Sequence, residues 1–393
     1  MSGTAILYAL SVLFFGSLNA LSMKAQFLMT SVGTDGEVKH FAKPWFGTLN
    51  VFTACTLVLL YDMLVRRLLP QVQKSKSMEP LITISDADAE PERPHWLKCL
   101  LVLIPASIDV VATGFGCIGM VLVPASVWQM LRGAMIIFAA IFSVTFLRKK
   151  MFLYGWFGVT LCVVGVATVG AASIVGSSAK PGNGGETDWG LAFGVGMILF
   201  AQVLQAAQMV LEEWLLKTVN LPALQVIGWE GLWGLLIIVF FVYPLVYVLP
   251  GKDGGHMEDP VDTVTMLSNS SGLFTMALVY TFSCATYNVA GIKVTGLLSS
   301  VHRVLIEASR TVCVWGVNLF IHYVVDPNSP FGEVWTPYSF LQLFGFMLIL
   351  TGQATHGGVL RWPCFSYPVP ENQPKRFTSP VADFNGLSPM PDA

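Results

Sequence analysis

The sequence predicts an all-α membrane protein whose ten transmembrane helices form two inverted repeats of five helices. Three observations lead to this fold class: the composition, the number of long apolar segments and an internal duplication. Apolar residues make up 54% of the 393 residues and charged residues only 12%, which is about half the share usual in soluble domains. A soluble protein of this length could not cover its surface with so few charges.

Ten apolar segments are long enough to cross a bilayer, which takes roughly 20 mostly apolar residues in a helix. The first of them lacks the basic start of a signal peptide and is too long for its apolar region. We therefore expect it to remain in the protein as helix 1. The ten segments are 4–23, 45–65, 98–119, 123–146, 151–175, 189–211, 224–249, 272–292, 296–322 and 338–359.

The distribution of Lys and Arg predicts that both termini face the cytosol, because cytosolic loops carry an excess of these residues. In that orientation, 14 of the 22 Lys and Arg residues are cytosolic, 5 are lumenal, and Arg132, Arg303 and Arg310 lie within helices. The parts outside the bilayer are a cytosolic loop, 66–97, a lumenal linker, 176–188, and a cytosolic tail, 361–393. The tail is rich in Pro and Ser, and we expect it to be disordered.

An internal duplication divides the chain into a first repeat, 1–175, and a second, 189–360. Segment 125–147 aligns with 299–321 at an offset of 174. The next helix aligns at an offset of 187, and the difference of 13 residues is a longer loop before helix 10. An odd number of helices per repeat turns the second copy upside down, which produces inverted repeats related by a pseudo-two-fold axis. The second alignment matches Gly158 with Gly345 and Gly165 with Gly352.

Helix 9 has a polar face that predicts contact with the protein interior. At 100° per residue, five polar residues fall within a stripe of about 80°. Two interpretations of its charges remain open: a self-neutralising cluster, with Glu307 between the two arginines, or the lining of a cavity whose net charge of about +1 attracts an anion. The five residues are Ser300, Arg303, Glu307, Arg310 and Asn318.

Further ionisable residues lie within helices 3, 4 and 7. Arg132 and Arg310 fall at similar depths near the bilayer midplane, where inverted-repeat transporters bind their substrates. Three carboxylates, those of Asp109, Glu230 and Glu307, are candidates for proton coupling. The alternative, that each carboxylate simply pairs with an arginine, is equally open.

The sequence contains no P-loop, nucleophile elbow or metal-binding HExxH motif. We therefore expect no enzymatic activity, no metal and no cofactor, and the net charge of −2 indicates no nucleic-acid partner. Asn269 begins the chain's one N-glycosylation sequon on the predicted lumenal side, but its closeness to helix 8 makes it a weak candidate.

Six segments together resemble the drug/metabolite transporter superfamily and, within it, subfamily F of solute carrier family 35, a group similar to the chloroquine-resistance-type transporters. They are 16–24, 127–138, 208–217, 228–234, 286–295 and 302–316. The resemblance implies an EamA-like fold of five plus five helices, with helices 1–4 and 6–9 around a central cavity. Loop 250–271 lacks the cysteines of the chloroquine-resistance group, so that group's lumenal architecture and substrates are not transferred.

The resemblance also implies a set of cavity residues and an endomembrane location, in the lysosome or vacuole or in the Golgi. Together with Asp109, which the charge pattern adds, the candidates are Asn19, Ser22, Lys24, Gln129, Arg132, Glu230, Arg303, Glu307 and Arg310.

These observations predict a secondary-active transporter that moves a small polar or anionic solute by alternating access. The alternative is a membrane scaffold that transports nothing, although charged stripes near the midplane would give a scaffold no advantage. The expected partners are the solute and the lipid bilayer. A coupled proton or counter-substrate and a homodimer are further alternatives.

Overall fold

The structure, a computed structural model, describes residues 3–68, 95–146, 151–178, 189–219, 223–297, 300–365 and 367. Three predicted segments fall largely outside the described residues: the cytosolic loop 66–97, the lumenal linker 176–188 and the tail 361–393. Arg303 lies on a described helix, but its side chain is outside the described part of the chain.

Helices dominate the described residues. They and three short strands are, in chain order, α1 (Gly3–Leu28), β1 (Thr30–Val32), β2 (Val38–His40), α2 (Pro44–Leu68), α3 (His95–Leu101), α4 (Leu103–Leu122), α5 (Ala125–Leu131), α6 (Met135–Thr145), α7 (Leu153–Ser178), α8 (Trp189–Val219), α9 (Ala223–Ile237), α10 (Tyr243–Val248), β3 (Pro250–Asp253), α11 (Pro260–Asn269), α12 (Ser271–Leu297), α13 (Ser300–Phe320) and α14 (Pro337–His356).

Each of the ten apolar segments corresponds to one long helix or to consecutive shorter ones. A 3₁₀ turn at Arg132–Ala134 joins α5 to α6, and π-helical turns follow α9 and α13. Within the described residues, eight helices are long and apolar enough to cross a membrane. The helices α13 and α14, with 21 and 20 residues, are outside that set; α13 carries three charged residues. The chain is a multi-pass helical membrane protein.

The long helices pack in pairs that join the two halves of the chain. The closest pairs are α7 with α14, α4 with α8, α1 with α12, and α2 with α9. Smaller contacts join α6 to α8 and α1 to α13, and likewise α2 to α12 and α4 to α9. The largest apolar core lies among α5, α6, α7, α8 and α14, where Val169, Ile198 and Ile349 are fully buried.

Glycines bring α7 and α14 into direct backbone contact. A Cβ atom on Gly158 would lie 2.6 Å from the carbonyl oxygen of Gly352, and one on Gly165 would lie 2.6 Å from that of Gly345. The reverse contacts are also too close for a side chain, since a Cβ on Gly352 would lie 2.6 Å from Gly158 O and one on Gly345 2.9 Å from Gly165 O. No other residue fits without moving the helices apart, as in other membrane helix pairs built on small residues.

Outside the spans, the loops after α1 and after α10 fold against each other into a unit that we call the clasp, residues 30–43 and 250–269. Strands β1 and β2 form an antiparallel hairpin. The Ser31 hydroxyl donates to Met266 O at 2.6 Å, and the Asn269 amide donates to Val32 O at 2.9 Å. Within the clasp, the side chains of Phe41 and Met266 are fully buried.

Charged residues cross the clasp from one loop to the other. Lys43 Nζ lies 2.6 Å from Asp262 Oδ2 and also pairs with Asp253. The side chains of Lys43 and Asp262 are 4% and 2% exposed. Burial alone would raise the pKa of Asp262, but hydrogen bonds from Lys43 and from the Thr34 N–H hold it well below its usual value. The two loops are thus joined by a buried ion pair.

Glu258 joins the same clasp to the start of α2. Its two carboxylate oxygens accept the N–H groups of Trp45 and Phe46, each at 2.8 Å, and so satisfy donors that have no partner within the helix. Its side chain is fully buried, and burial raises the pKa of Glu258 from 4.5 to about 7 against the opposing effect of these two bonds.

Candidate functional site

A cavity of about 970 Å³ opens at the end of the helix bundle where α1 ends and α5 and α14 begin. Its walls come from both halves of the chain, from α1 and α5 on one side and α12, α13 and α14 on the other. Most of the lining is apolar, and Trp315, Phe331 and Tyr338 are its largest side chains. A cavity of this size holds a small organic molecule.

Lys24 contributes an ammonium group to the wall of this cavity. It lies near the end of α1, and its Nζ donates to Met120 O at 2.7 Å, Val121 O at 3.2 Å and Val123 O at 2.8 Å. These carbonyls belong to the end of α4, where the final carbonyls of a helix lack partners within the helix. Lys24 therefore ties α1 to α4 and places a positive charge beside the cavity.

Glu333 contributes the carboxylate of the cavity. It accepts the Asn318 amide at 2.7 Å and the Ser126 N–H at 3.3 Å, and it also accepts the Ser126 hydroxyl. Its own N–H donates to Asn318 O at 3.0 Å, while Trp335 stacks on Trp315 with ring centroids 5.2 Å apart. The segment before α14 is held in this way across the start of α5.

Deeper in the bundle, Arg310 of α13 meets Gln129 of α5. The Arg310 side chain is 5% exposed, and its Nη2 donates to Gln129 Oε1 at 3.1 Å. Its guanidinium lies 5.3 Å from the centre of the Tyr287 ring. A Cβ on Gly16 would lie 2.8 Å from Arg310 Cδ, so the glycine on α1 leaves the space that the arginine stem occupies.

Three more candidates surround this pair. The Tyr287 hydroxyl donates to Glu307 Oε1 at 2.8 Å, and the Arg132 guanidinium lies 5.1 Å from the centre of the Trp128 ring. Asn19 is half-buried on α1, one helical turn from Gly16. Side chains from α1, α5, α12 and α13 thus form one polar cluster around Arg310.

Two acidic candidates, Asp109 and Glu230, lie on α4 and α9, and polar side chains of α8 contact them. Gln208 Nε2 donates to Glu230 Oε1 at 2.7 Å and to Glu212 Oε2 at 3.3 Å. Asp109 of α4 accepts the Thr113 hydroxyl at 3.2 Å. Glu212 was not among the sequence candidates.

The predicted residues therefore fall into three places. Ser22 and Lys24 line the cavity. Asn19, Gln129, Arg132, Glu307 and Arg310 belong to the cluster around the arginine, and Asp109 and Glu230 lie on α4 and α9. Asn269 is exposed in the clasp.

Besides Glu212, sequence reasoning missed two charged residues, Glu333 and Asp62. Glu333 lies in the longer loop before helix 10, so the 13-residue difference between the two offsets was the available signal. Asp62 lies within α2 and is completely buried, with Gln225 donating to it at 3.4 Å. A single charge inside an apolar segment was the signal for Asp62.

Comparison with known proteins gives consistent matches. The family model for nucleotide-sugar transporters matches residues 48–228. Solute carrier family 35 member F6 from Homo sapiens is 30% identical over 352 residues, which cover 88% of this chain and 86% of that protein, and the Rattus norvegicus protein matches equally well. An uncharacterised Schizosaccharomyces pombe protein is 25% identical over 67% of this chain and 76% of its own length.

Proposed function

The chain belongs to solute carrier family 35, and from that premise we propose that it is a secondary-active carrier of a small polar or anionic solute. Its family consists of transporters, so it is a membrane transporter and not an enzyme. The proposal adds the class of solute, the mechanism of alternating access and the location in an endomembrane with both termini in the cytosol.

The cavity is the observation that carries this proposal. It has a volume of about 970 Å³, it is lined by both halves of the chain, and it carries an ammonium and a carboxylate group. Its position above the buried Arg310–Gln129 pair supports a solute path that continues toward the middle of the bundle. A rocking motion of two halves around a site between them is the usual mechanism in transporters with inverted repeats.

The pattern of helix pairing supports ten helices in two inverted repeats. The ten predicted spans are, in chain order, α1, α2, α4, α5 with α6, α7, α8, α9, α12, α13 and α14. Exchanging each of the first five spans with its counterpart among the last five converts the α1–α12 pair into the α8–α4 pair. The same exchange converts α1–α13 into α8–α6 and α2–α12 into α9–α4. The exchange leaves the α2–α9 and α7–α14 pairs unchanged, as expected for pairs that lie on a two-fold axis between the halves.

The glycines of α7 and α14 follow the same rule. Gly158 and Gly345 are matched by the sequence alignment, as are Gly165 and Gly352. In the structure, Gly158 meets Gly352 and Gly165 meets Gly345. Exchange of the two halves turns each contact into the other, which supports the pseudo-two-fold arrangement.

Uptake into liposomes that contain the purified full chain tests the function. The panel should hold nucleotide sugars, because the matching family model carries that name, together with amino acids, peptides and organic anions. We expect uptake of at least one solute and its loss in Arg132→Ala or Glu307→Gln, with normal expression of both variants. A proton gradient that accelerates uptake, and a loss of that acceleration in Asp109→Asn or Glu230→Gln, would support proton coupling.

Two results would contradict the proposal. One is undiminished uptake in both Arg132→Ala and Glu307→Gln, which would mean that the path avoids the arginine cluster. The other is the absence of uptake of every panel member by a correctly folded protein, which would favour the scaffold.

A further inference from the structure

Arg310 and Gln129 form a buried polar contact between the two halves of the chain. Each side chain is 5% exposed, and one hydrogen bond of 3.1 Å joins them. That bond uses the Gln129 carbonyl oxygen and one terminal nitrogen of the guanidinium. The other N–H groups of the two side chains take no part in this bond.

Two of those donors are buried without a partner. Among the described residues, neither Arg310 Nε nor Gln129 Nε2 has a hydrogen-bond partner. Buried donors are nearly always satisfied, and a buried guanidinium requires a counter-charge or a ligand. A guanidinium edge beside an amide N–H₂ group presents several donors and a positive charge, which together match the oxygens of a carboxylate or phosphate group.

A layer of small apolar residues, one helical turn thick, separates this pair from the cavity. Ala20, Ala125 and Val314 form a buried cluster against Leu21. Ala20 follows Gly16 by four residues, Val314 follows Arg310 by four, and Ala125 precedes Gln129 by four. On each helix this step leads toward the end at which the cavity opens. Four residues of helix span about 6 Å, so the layer is about as thick as a single side chain.

We propose that Arg310 and Gln129 bind the oxyanion of the transported solute, and that the Ala20–Ala125–Val314 layer is the gate that closes this site from the cavity. The inference rests on the proposed function and narrows its solute to an organic anion. Because the cavity above the gate is lined mainly by apolar side chains, the solute carries an apolar body behind its carboxylate or phosphate head. Small residues suit a gate because slight helix shifts open a passage between them.

Matched pairs of ligands test the charge requirement. The purified full chain in detergent is titrated with benzoate and benzamide and with phenyl phosphate and phenol, and its thermal unfolding reports binding. Each pair shares a body and differs in the head. We expect the anion of at least one pair to bind about tenfold or more tightly than its neutral partner; the pair that responds distinguishes a carboxylate from a phosphate.

Variants of the two residues test the place of binding. Gln129→Glu puts a carboxylate beside the guanidinium, which then pairs internally, and Arg310→Gln removes the charge. We expect both to abolish the preference for anions. Gln202→Glu is the matched control, since Gln202 is 3% exposed on α8 and the same substitution there should preserve the preference. Equal binding of anion and neutral partner in the wild type, or a preference that survives Gln129→Glu and Arg310→Gln, overturns the proposal.

The gate has its own test. Val314→Ala thins the layer, and we expect faster association of the responding anion in stopped-flow measurements with little change in its affinity. An unchanged association rate contradicts the gate. Uptake of a panel solute without any preference for anions defeats this inference alone, whereas absence of uptake for every solute defeats the proposed function.

Discussion

The charges of the clasp and the charges within the helix bundle are compensated in different ways. In the clasp, buried Lys43 lies against two carboxylates, those of Asp253 and Asp262. Within the bundle, the described residues that contact the Arg310 guanidinium by a hydrogen bond or a ring are neutral, the Gln129 amide and the Tyr287 ring, while the Glu307 carboxylate accepts the Tyr287 hydroxyl. Glu230 likewise receives its hydrogen bond from the neutral Gln208.

This difference separates charges that stabilise the fold from charges that remain available to a ligand. Ion pairing in the clasp cancels charge locally, and removal of one partner leaves the other buried alone. Neutral dipoles orient a buried guanidinium without cancelling its charge, so that its field still attracts an anion. The same residue types therefore have different surroundings in the clasp and within the bundle.

The largest effect we expect is from Lys43→Met. It leaves Asp262 buried without its closest cation, and loss of one partner of a buried pair costs about 3–5 kcal/mol. The unfolding free energy in mixed micelles measures this loss directly.

Asp35→Asn is the matched control, because it breaks an ion pair with Lys39 in the same hairpin. Asp35 is 46% exposed, and exposed ion pairs contribute little to stability because solvent screens them. Similar losses in the two variants would show that the buried pair adds nothing beyond an ordinary surface contact.

In contrast to Lys43→Met, Arg310→Met should leave the stability nearly unchanged and should reduce uptake. The substitution removes a buried charge at similar volume, which is often neutral for stability, so we expect the unfolding free energy to change by less than about 1.5 kcal/mol despite the lost bond to Gln129. Uptake should fall by about 100-fold, since a hydrogen bond to a charged group contributes about 1.5–3 kcal/mol. A variant that unfolds as easily as Lys43→Met would place Arg310 among the structural charges and erase the distinction.

The sequence predicted the helices well and the clasp not at all. Twenty apolar residues in a row suffice to predict a membrane helix, and within the described residues each of the ten segments is largely helical. The clasp contains strands of only three or four residues. Its register depends on ion pairs between residues more than 200 positions apart, such as Lys43 with Asp253 and Asp262, and no local pattern encodes such contacts.

Residue type and helical periodicity suffice to nominate candidate site residues, but they do not predict which side chains contact each other. Helical periodicity predicted a polar face on α13, and the structure buries Arg310 and Asn318 on it while Val312 is 55% exposed. The same periodicity could not reveal that Arg310 bonds Gln129, because this contact depends on how α5 and α13 pack. Lys24 is one of the cavity candidates, and three carbonyls at the end of α4, those of Met120, Val121 and Val123, fix it in the wall.

The smallest expected effect concerns the pH dependence of the clasp. Because the pKa of Glu258 rises from 4.5 to about 7 on folding, the folded state binds this proton more tightly than the unfolded state. Its contribution to stability is fully present below about pH 4.5 and is lost as the pH rises through about 7. Asp262 has a lowered pKa, so it stays ionised throughout this window and does not mask the change.

Glu258→Gln should remove a decline on the order of 2 kcal/mol between these pH values, measured as the unfolding free energy at intervals of pH. Glu37→Gln, which alters an exposed carboxyl of the hairpin, should retain the decline. A wild-type stability that rises with pH across the same window would mean that Glu258 is ionised in the folded clasp and stabilises α2 as an anion.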